Sequence, residues 1–280
     1  MKIRIFSSCC ESKNAKETYE RLCDSKMISG YGTQFTLTDT DDYTHVIIMN
    51  VAMPDIGHIP KERVIGLAFE PFRYLCLTNE FVEYAQKYIG KYFIGQKNNL
   101  PEPFVEHIAY LWHCPPLSYI PVKNNIMSIM ISNKNQAPGH VYRHDLMKAI
   151  LQTRLPIDIY GNGCAMYPFV MDHRFKGAFK EYEPYENYKF HIAIENYVTN
   201  EYFSEKIMNP LLCSCVPVYL GCKNIENYFP GQVIRLTGNI LEDLQTITDI
   251  VHHPEKYKKH IDLNVVKHKI NLLRNIEAIF

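Results

Sequence analysis

Between residues 188 and 221 the sequence gathers Glu195, Asn196, Tyr202, Glu205 and Lys206 around a single loop. An apolar run over 190–194 ends abruptly in Glu195-Asn196. That pattern predicts a parallel strand opening into a site, because ligands of open α/β sheets bind beyond the carboxyl ends of strands. The next residues, Ser204-Glu205-Lys206-Ile207, predict a helix start with Glu205 and Lys206 on adjacent, divergent faces. Unpaired N–H groups and the positive end of the dipole favour phosphate there. An amide, a phenol, a carboxylate and an ammonium converging on one helix start suit a phosphorylated sugar donor.

Two further residues fit the same chemistry. Arg143 falls a few residues into a predicted helix, where it is either a solvated surface arginine or, through its planar guanidinium fork, suited to bidentate contacts to phosphate. Glu70 follows an apolar strand and precedes Pro71, so it should project from the carboxyl edge of a sheet as a candidate general base; Glu62 and Glu80 are fallbacks.

Three other patterns are weaker. Asp39-Thr40-Asp41 has the D-x-D form of a metal site but reads as a polar turn before a strand. His140 and His144 have the i, i+4 spacing of zinc ligands, yet Val141 stands where the metalloprotease motif has glutamate. Gly161-Asn162-Gly163 resembles a dinucleotide turn, with Met166 in place of the third glycine.

The elements that position these residues alternate between strand and helix. In the amino half, strands are expected at 3–7, 45–51, 64–69 and 91–94, with helices near 13–23 and 79–88. Prolines 101, 103, 115, 116 and 121 mark a turn-rich linker. The carboxyl half restarts with a strand at 126–132 and a helix at 141–152. Strands at 156–160 and 190–194, a helix at 202–213, and strands at 216–220 and 233–236 follow. Such alternation implies βα units and mostly parallel sheets, in domains 1–120 and 121–280.

At 280 residues, 46% hydrophobic and 21% charged, the chain is globular. Thirty basic and thirty acidic residues cancel, which argues against a broad nucleic-acid footprint. No apolar run approaches the roughly 20 residues of a membrane span, and the opening MKIRIFSSCC reads as a strand rather than a signal peptide. The nine cysteines lack paired C-x-x-C spacing and read as reduced thiols, not a zinc site.

The loop and its flanks also resemble a known family. Tyr188-Lys189-Phe190, Glu195-Asn196, Tyr202, Glu205-Lys206, Asn209, Leu211, Val216-Pro217-Val218 and Gly221 fall in step with the donor-binding signature of the α-1,3-fucosyltransferases. Tyr197, Ser204, Pro210 and Ser214 depart from it, where the family usually has Ser, Thr, Ala and Gly. None of these departures removes a charged group.

The resemblance implies an α/β fold of GT-B type, with two Rossmann-like domains facing across a cleft. It implies an inverting transfer of fucose from GDP-β-L-fucose to a hydroxyl of a glycan acceptor, such as the 3-hydroxyl of N-acetylglucosamine. The donor would be held by Arg143, Asn196, Tyr202, Glu205 and Lys206, with Glu70 as the catalytic base. Lys206 and Arg143 would meet the diphosphate. Asn196 and Tyr202 can donate to phosphate or sugar hydroxyls, or cap the loop and fill the core. Glu205 can accept from sugar hydroxyls or favour the helix start, and Glu195 can tie down the loop.

No metal is required, a divalent ion being at most stimulatory. The chain itself reads as soluble and cytoplasmic, like bacterial members rather than the Golgi-anchored animal ones. Two alternatives stay open: a related enzyme using a donor such as GDP-mannose, or a catalytically inactive protein that binds nucleotide sugars or glycans.

Overall fold

Short runs rich in isoleucine and valine become buried strands, since branched side chains pack well on a pleated surface. A computed structural model describes residues 1–280. It divides into two compact units. Unit 1 comprises Met1–Pro115, Thr199–Tyr202 and Ile270–Phe280; unit 2 comprises Pro116–Val198 and Phe203–Lys269.

Unit 1 is built on β1 (Lys2–Ser7), β2 (Thr36–Thr38), β3 (His45–Met49), β4 (Val64–Leu67), β5 (Lys91–Ile94) and β6 (Phe104–Glu106). They form one sheet of order β2-β1-β3-β4-β5-β6 in which every pairing is parallel. Helices α1 (Ser12–Leu22), α2 (Phe72–Leu75) and α3 (Asn79–Tyr88) connect the strands. Thr78 caps α3 by accepting from Phe81 N at 3.1 Å. Val46, Ile48, Phe81, Tyr92 and Phe104 are central to the core of this unit.

Unit 2 repeats the plan with β7 (Asn125–Met130), β8 (Ile157–Tyr160), β9 (Phe175–Gly177), β10 (Tyr188–Ile194), β11 (Val216–Leu220) and β12 (Ile234–Arg235). Its order is β12-β11-β10-β7-β8-β9, again all parallel. Helices α4 (Pro138–Leu151), α5 (Glu205–Leu212), α6 (Ile240–His252) and α7 (Leu263–Ile270) accompany it. Two parallel six-stranded sheets of this kind are GT-B-like. No helix is long and apolar enough to cross a membrane.

The strands β2, β6 and β9 escaped the sequence reading. Each has three residues at or near a sheet edge, too few to show a period of two. Strand β6 also lies inside the proline-rich stretch taken for a linker. Helix boundaries moved for local reasons. Helix α4 begins three residues early because Pro138 occupies its first turn, where a missing N–H costs nothing. Helix α5 begins three residues late because Ser204 caps it, accepting from Lys206 N. Tyr202 therefore lies outside the helix.

Candidate functional site

In unit 2 the chain runs outward from β7 to β8 and β9, then returns to the other side of β7 as β10. Such a reversal leaves a crevice at the carboxyl ends of the two central strands. A cavity of about 360 Å³ lies there, lined by residues 130–134 after β7, Gly161 and Asn162 after β8, and Ile194 and Asn196 at the end of β10. His140, Arg143, Glu205 and Lys206 complete its polar wall. The volume falls in the ~300–1,000 Å³ range of small-ligand sites.

The first turn of α4 is pressed on to the Glu195–Asn196 junction. Gly139 N donates to Asn196 O at 3.0 Å, and a Cβ on Gly139 would stand 1.8 Å from Glu195 O. Gly161, at φ +106, admits the Ile131 carbonyl in the same manner, its Cβ position lying 2.1 Å from that oxygen. The rejected dinucleotide turn is thus a packing device that brings β8 against β7. Signature Gly221 makes room for the Glu195 side chain, with Glu195 Cγ only 2.4 Å from where its Cβ would be.

One turn beyond Gly139, Arg143 is 6% exposed. Its Nη2 donates to Ile194 O at 2.8 Å and to Asn196 Oδ1 at 3.3 Å. Its Nε is buried with no hydrogen-bond partner. Burial lowers its pKa against the raising influence of Glu195 and Glu205, but a guanidinium stays charged at any physiological pH. A buried cationic donor left unpaired is costly, and an anionic ligand in the adjoining cavity would relieve that cost.

Glu195 is buried and accepts from Ser204 N at 2.8 Å and Ser204 Oγ at 2.7 Å, closing the loop on to the start of α5. Burial raises its pKa, and the Lys206 charge offsets this only in part. The Lys206 ammonium donates to Glu205 Oε1 at 2.9 Å and Ser204 Oγ at 3.0 Å, and lies 3.6 Å from Glu195 Oε2. Burial pulls Lys206 down, but the Glu205 and Glu195 carboxylates prevail and its pKa is raised. Glu205 is lowered: burial works against its charge, and Lys206 outweighs burial.

Glu205 and Lys206, expected on divergent faces, therefore meet. At the first residues of a helix no preceding turn fixes the side chains, and both curl back towards Ser204. Lys206 is shared between two carboxylates, so a diphosphate must compete with Glu205 for it.

His140 was read only as an unsuited zinc ligand. Its Nδ1 accepts from Ala137 N at 3.2 Å, which places the ring proton on Nε2, and the ring also contacts Asn196. Burial holds its pKa near 4, so it is a neutral donor at pH 7. Both nitrogens of His144 are engaged, with Tyr167 Oη and Ser132 O, each at 2.8 Å. In unit 1, Asp39 pairs with Lys16 at 3.1 Å and Asp41 with Arg4.

The structure thus brings together Arg143, Asn196, Glu205 and Lys206. Tyr202 is buried within the short segment that groups with unit 1, packed where a Cβ on Gly95 would stand 2.7 Å from its own Cβ. Glu70 is exposed in the bend between β4 and α2 of unit 1. Glu62 precedes β4 and so lies at the opposite edge of that sheet, and Glu80 opens α3. His140, Lys134, Asn162, Tyr185 and His191 line the unit 2 cavity and were not among the expected donor contacts. The available signal was position just past a strand's carboxyl end, which marks Lys134, four residues after β7, and Asn162, two after β8, but not Tyr185 or His191.

Residues 120–261, just over half the chain, match the family model described as glycosyltransferase family 10 (fucosyltransferase) C-term. GDP-fucose protein O-fucosyltransferase 3 of Danio rerio is 25% identical over 177 residues, covering 59% of this chain and 38% of that protein. Alpha-(1,3)-fucosyltransferase B of Drosophila melanogaster is 28% identical over 135 residues, covering 46% and 30%. The matches thus span less than two-fifths of these relatives. A crystal structure of an alpha1,3-fucosyltransferase superposes with a TM-score of 0.58 at 12% identity, covering 100% of this chain and 88% of that one; at that identity the likeness is one of fold.

Proposed function

The chain belongs to glycosyltransferase family 10, and on that footing we propose that it transfers L-fucose from GDP-β-L-fucose bound in the unit 2 cavity. The observation that carries this reading is the buried, incompletely paired guanidinium of Arg143 beside Lys206 at one switch-point cavity. Two fixed cations in a low-dielectric wall are what a leaving diphosphate needs.

In this mechanism an acceptor hydroxyl oxygen attacks the anomeric carbon from the face opposite GDP. The bond from that carbon to the β-phosphate oxygen breaks, and its electron pair leaves with GDP. The hydroxyl proton passes to a carboxylate, which we assign to Glu70, and the product is an α-linked fucoside. Arg143 and Lys206 neutralise the departing diphosphate, so the step asks for no metal. Asn196 and Glu205 hold the donor's polar groups, Glu205 exchanging its bond to Lys206 for a sugar hydroxyl, and Tyr202 completes the donor set. The acceptor we favour is a glycan hydroxyl, such as O3 of an N-acetylglucosamine-type sugar. The cavity of about 580 Å³ in unit 1, with Arg4, Ser7, Ser8, Ser12 and Lys13 in its wall, suits a hydroxyl-rich ligand.

The test is a donor screen that measures binding and GDP release, with N-acetyllactosamine-type sugars and hydroxyl-bearing peptides as acceptors. GDP-fucose should bind and turn over. If it does neither while GDP-mannose does, the donor assignment is wrong; binding without turnover on any acceptor would leave a binding protein. Arg143→Lys should weaken GDP affinity by about tenfold or more without unfolding the chain, because a point charge cannot reproduce the fork. Glu70→Ala should abolish turnover and retain GDP-fucose binding; unchanged turnover would remove Glu70 from the mechanism.

A further inference from the structure

The donor cavity occupies the carboxyl edge of the unit 2 sheet, while the amino edge of that sheet carries a groove of different character. Two adjoining cavities of about 290 and 530 Å³ share Ser214, Lys258 and Lys259. Four lysines line them against a single acid, Glu255, in a chain whose formal charges sum to zero.

Two of those lysines are committed. Lys189 pairs with Glu255 at 3.3 Å, and the Lys123 ammonium donates to the carbonyls of Tyr185, Glu186 and Cys213. The ammonium groups of Lys258 and Lys259 have no ion-pair partner in the chain. Ile120 forms part of the same wall and is 82% exposed, and Val122, two residues on, is 71% exposed.

We propose that this edge of unit 2 docks on an anionic lipid bilayer, Lys258 and Lys259 meeting the headgroups while Ile120 and Val122 enter the acyl boundary. Charge complementarity selects an anionic partner. The exposed apolar pair selects a bilayer over a soluble polyanion, because only a bilayer offers an apolar layer directly beneath its charged one. Apolar tips beside unpaired lysines on a water-facing surface otherwise gain nothing from exposure.

The geometry leaves the donor site free. The groove touches Lys189 and Phe190 at the amino end of β10, whereas the donor cavity is lined by His191 to Ile194, towards its carboxyl end. The two share no lining residue. Docking would tether the protein to a membrane with its donor cavity still open to solution.

The experiment is co-sedimentation of the full chain with mixed phosphatidylcholine–phosphatidylserine vesicles, against vesicles of phosphatidylcholine alone. The protein should partition on to the anionic vesicles only, and high salt should release it. The double variant Lys258→Glu, Lys259→Glu should lose about tenfold or more in partition coefficient, from roughly 1 kcal/mol per lysine. The pair Ile120→Ser, Val122→Ser should lose severalfold while keeping the salt dependence. GDP binding, measured on each variant, reports that the fold is intact, since none of the four residues lines the donor cavity. Equal partition on to both vesicle types would overturn the proposal. So would charge reversal without effect, or capture by heparin with no partition on to vesicles.

Discussion

The two sheets share a plan and differ in what stands at the point where strand order reverses. In unit 1 the reversal falls between β1 and β3, and the carboxylates near it reach water. Arg4 faces Asp41, a carboxylate 97% exposed, and Lys16 faces Asp39 with both side chains near one-third exposed. In unit 2 the reversal falls between β7 and β10, and the comparable carboxylate is buried: the Glu195 side chain is wholly covered, beside a Lys206 as covered as Arg4. The fold supplies a crevice to both units, but strong electrostatics only where water is excluded. The difference lies in α4, whose Gly139 lets the helix start close over the strand end, whereas α1 has no glycine in its first turn.

The harshest test of that contrast removes a buried cation. Lys206→Met leaves Glu195 with Ser204 as its remaining polar support, and breaking a buried pair in this way costs about 3–5 kcal/mol. Urea denaturation should show that loss, and the double variant Lys206→Met, Glu195→Gln should recover much of it, because no uncompensated charge remains. GDP affinity should stay low in both variants. Full stability in the single variant would mean that the cluster is solvated after all.

Gly139→Ala comes next. The added methyl would collide with a backbone carbonyl held in the sheet, so α4 must move away from Glu195. A loss of up to about 3 kcal/mol is expected, in the range of overpacking, together with weaker GDP binding as Arg143 is withdrawn. Wild-type donor affinity in this variant would detach the helix start from the site.

Acid should affect the buried histidines in a defined direction. Burial holds His140 and His113 near pKa 4 and His191 near 3, against about 6.5 in an unfolded chain. Below pH 6.5 the unfolded state takes up protons that the folded state refuses, so stability falls as pH falls towards 4 and is complete above 6.5. Each histidine contributes at most about 2 kcal/mol of that loss near pH 5. His140 and His191 belong to unit 2 and His113 to unit 1, so His191→Asn and His113→Asn separately apportion the slope between the units. A flat stability profile over this range would refute the burial argument.

Much of this was legible in the sequence, and the failures have physical causes. The strand ending in Glu195-Asn196 stood out because parallel strands buried on both faces are continuous apolar runs, and the charge that follows marks the exit. Arg143 was visible through its type and its place on a helix, but its burial was not: a surface arginine and a buried one are written alike. The pairing of Lys206 with Glu205 depends on how two side chains fold back at a helix start, which spacing does not encode. His140 was hidden because its role arises from contact with Asn196, 56 positions away. Glu70 was expected in the amino-terminal domain and lies in unit 1, but Tyr202, expected within the helix of unit 2, groups with unit 1 through long-range packing.

The smallest expected effect completes the comparison from the side of unit 1. Asp41→Asn removes the carboxylate that faces Arg4, the counterpart of the surgery at Lys206. The guanidinium keeps its place, since it also lies over the rings of Phe6 and Tyr43, at 4.7 and 5.4 Å from their centroids. An exposed pair gains little from Coulomb attraction in water and is screened by salt. The unfolding midpoint should therefore stay within error of the parent chain at physiological salt, and GDP affinity should not change. A destabilisation as large as that of Lys206→Met would erase the distinction between the two sheets, because it would mean that solvated and buried pairs are worth the same in this fold.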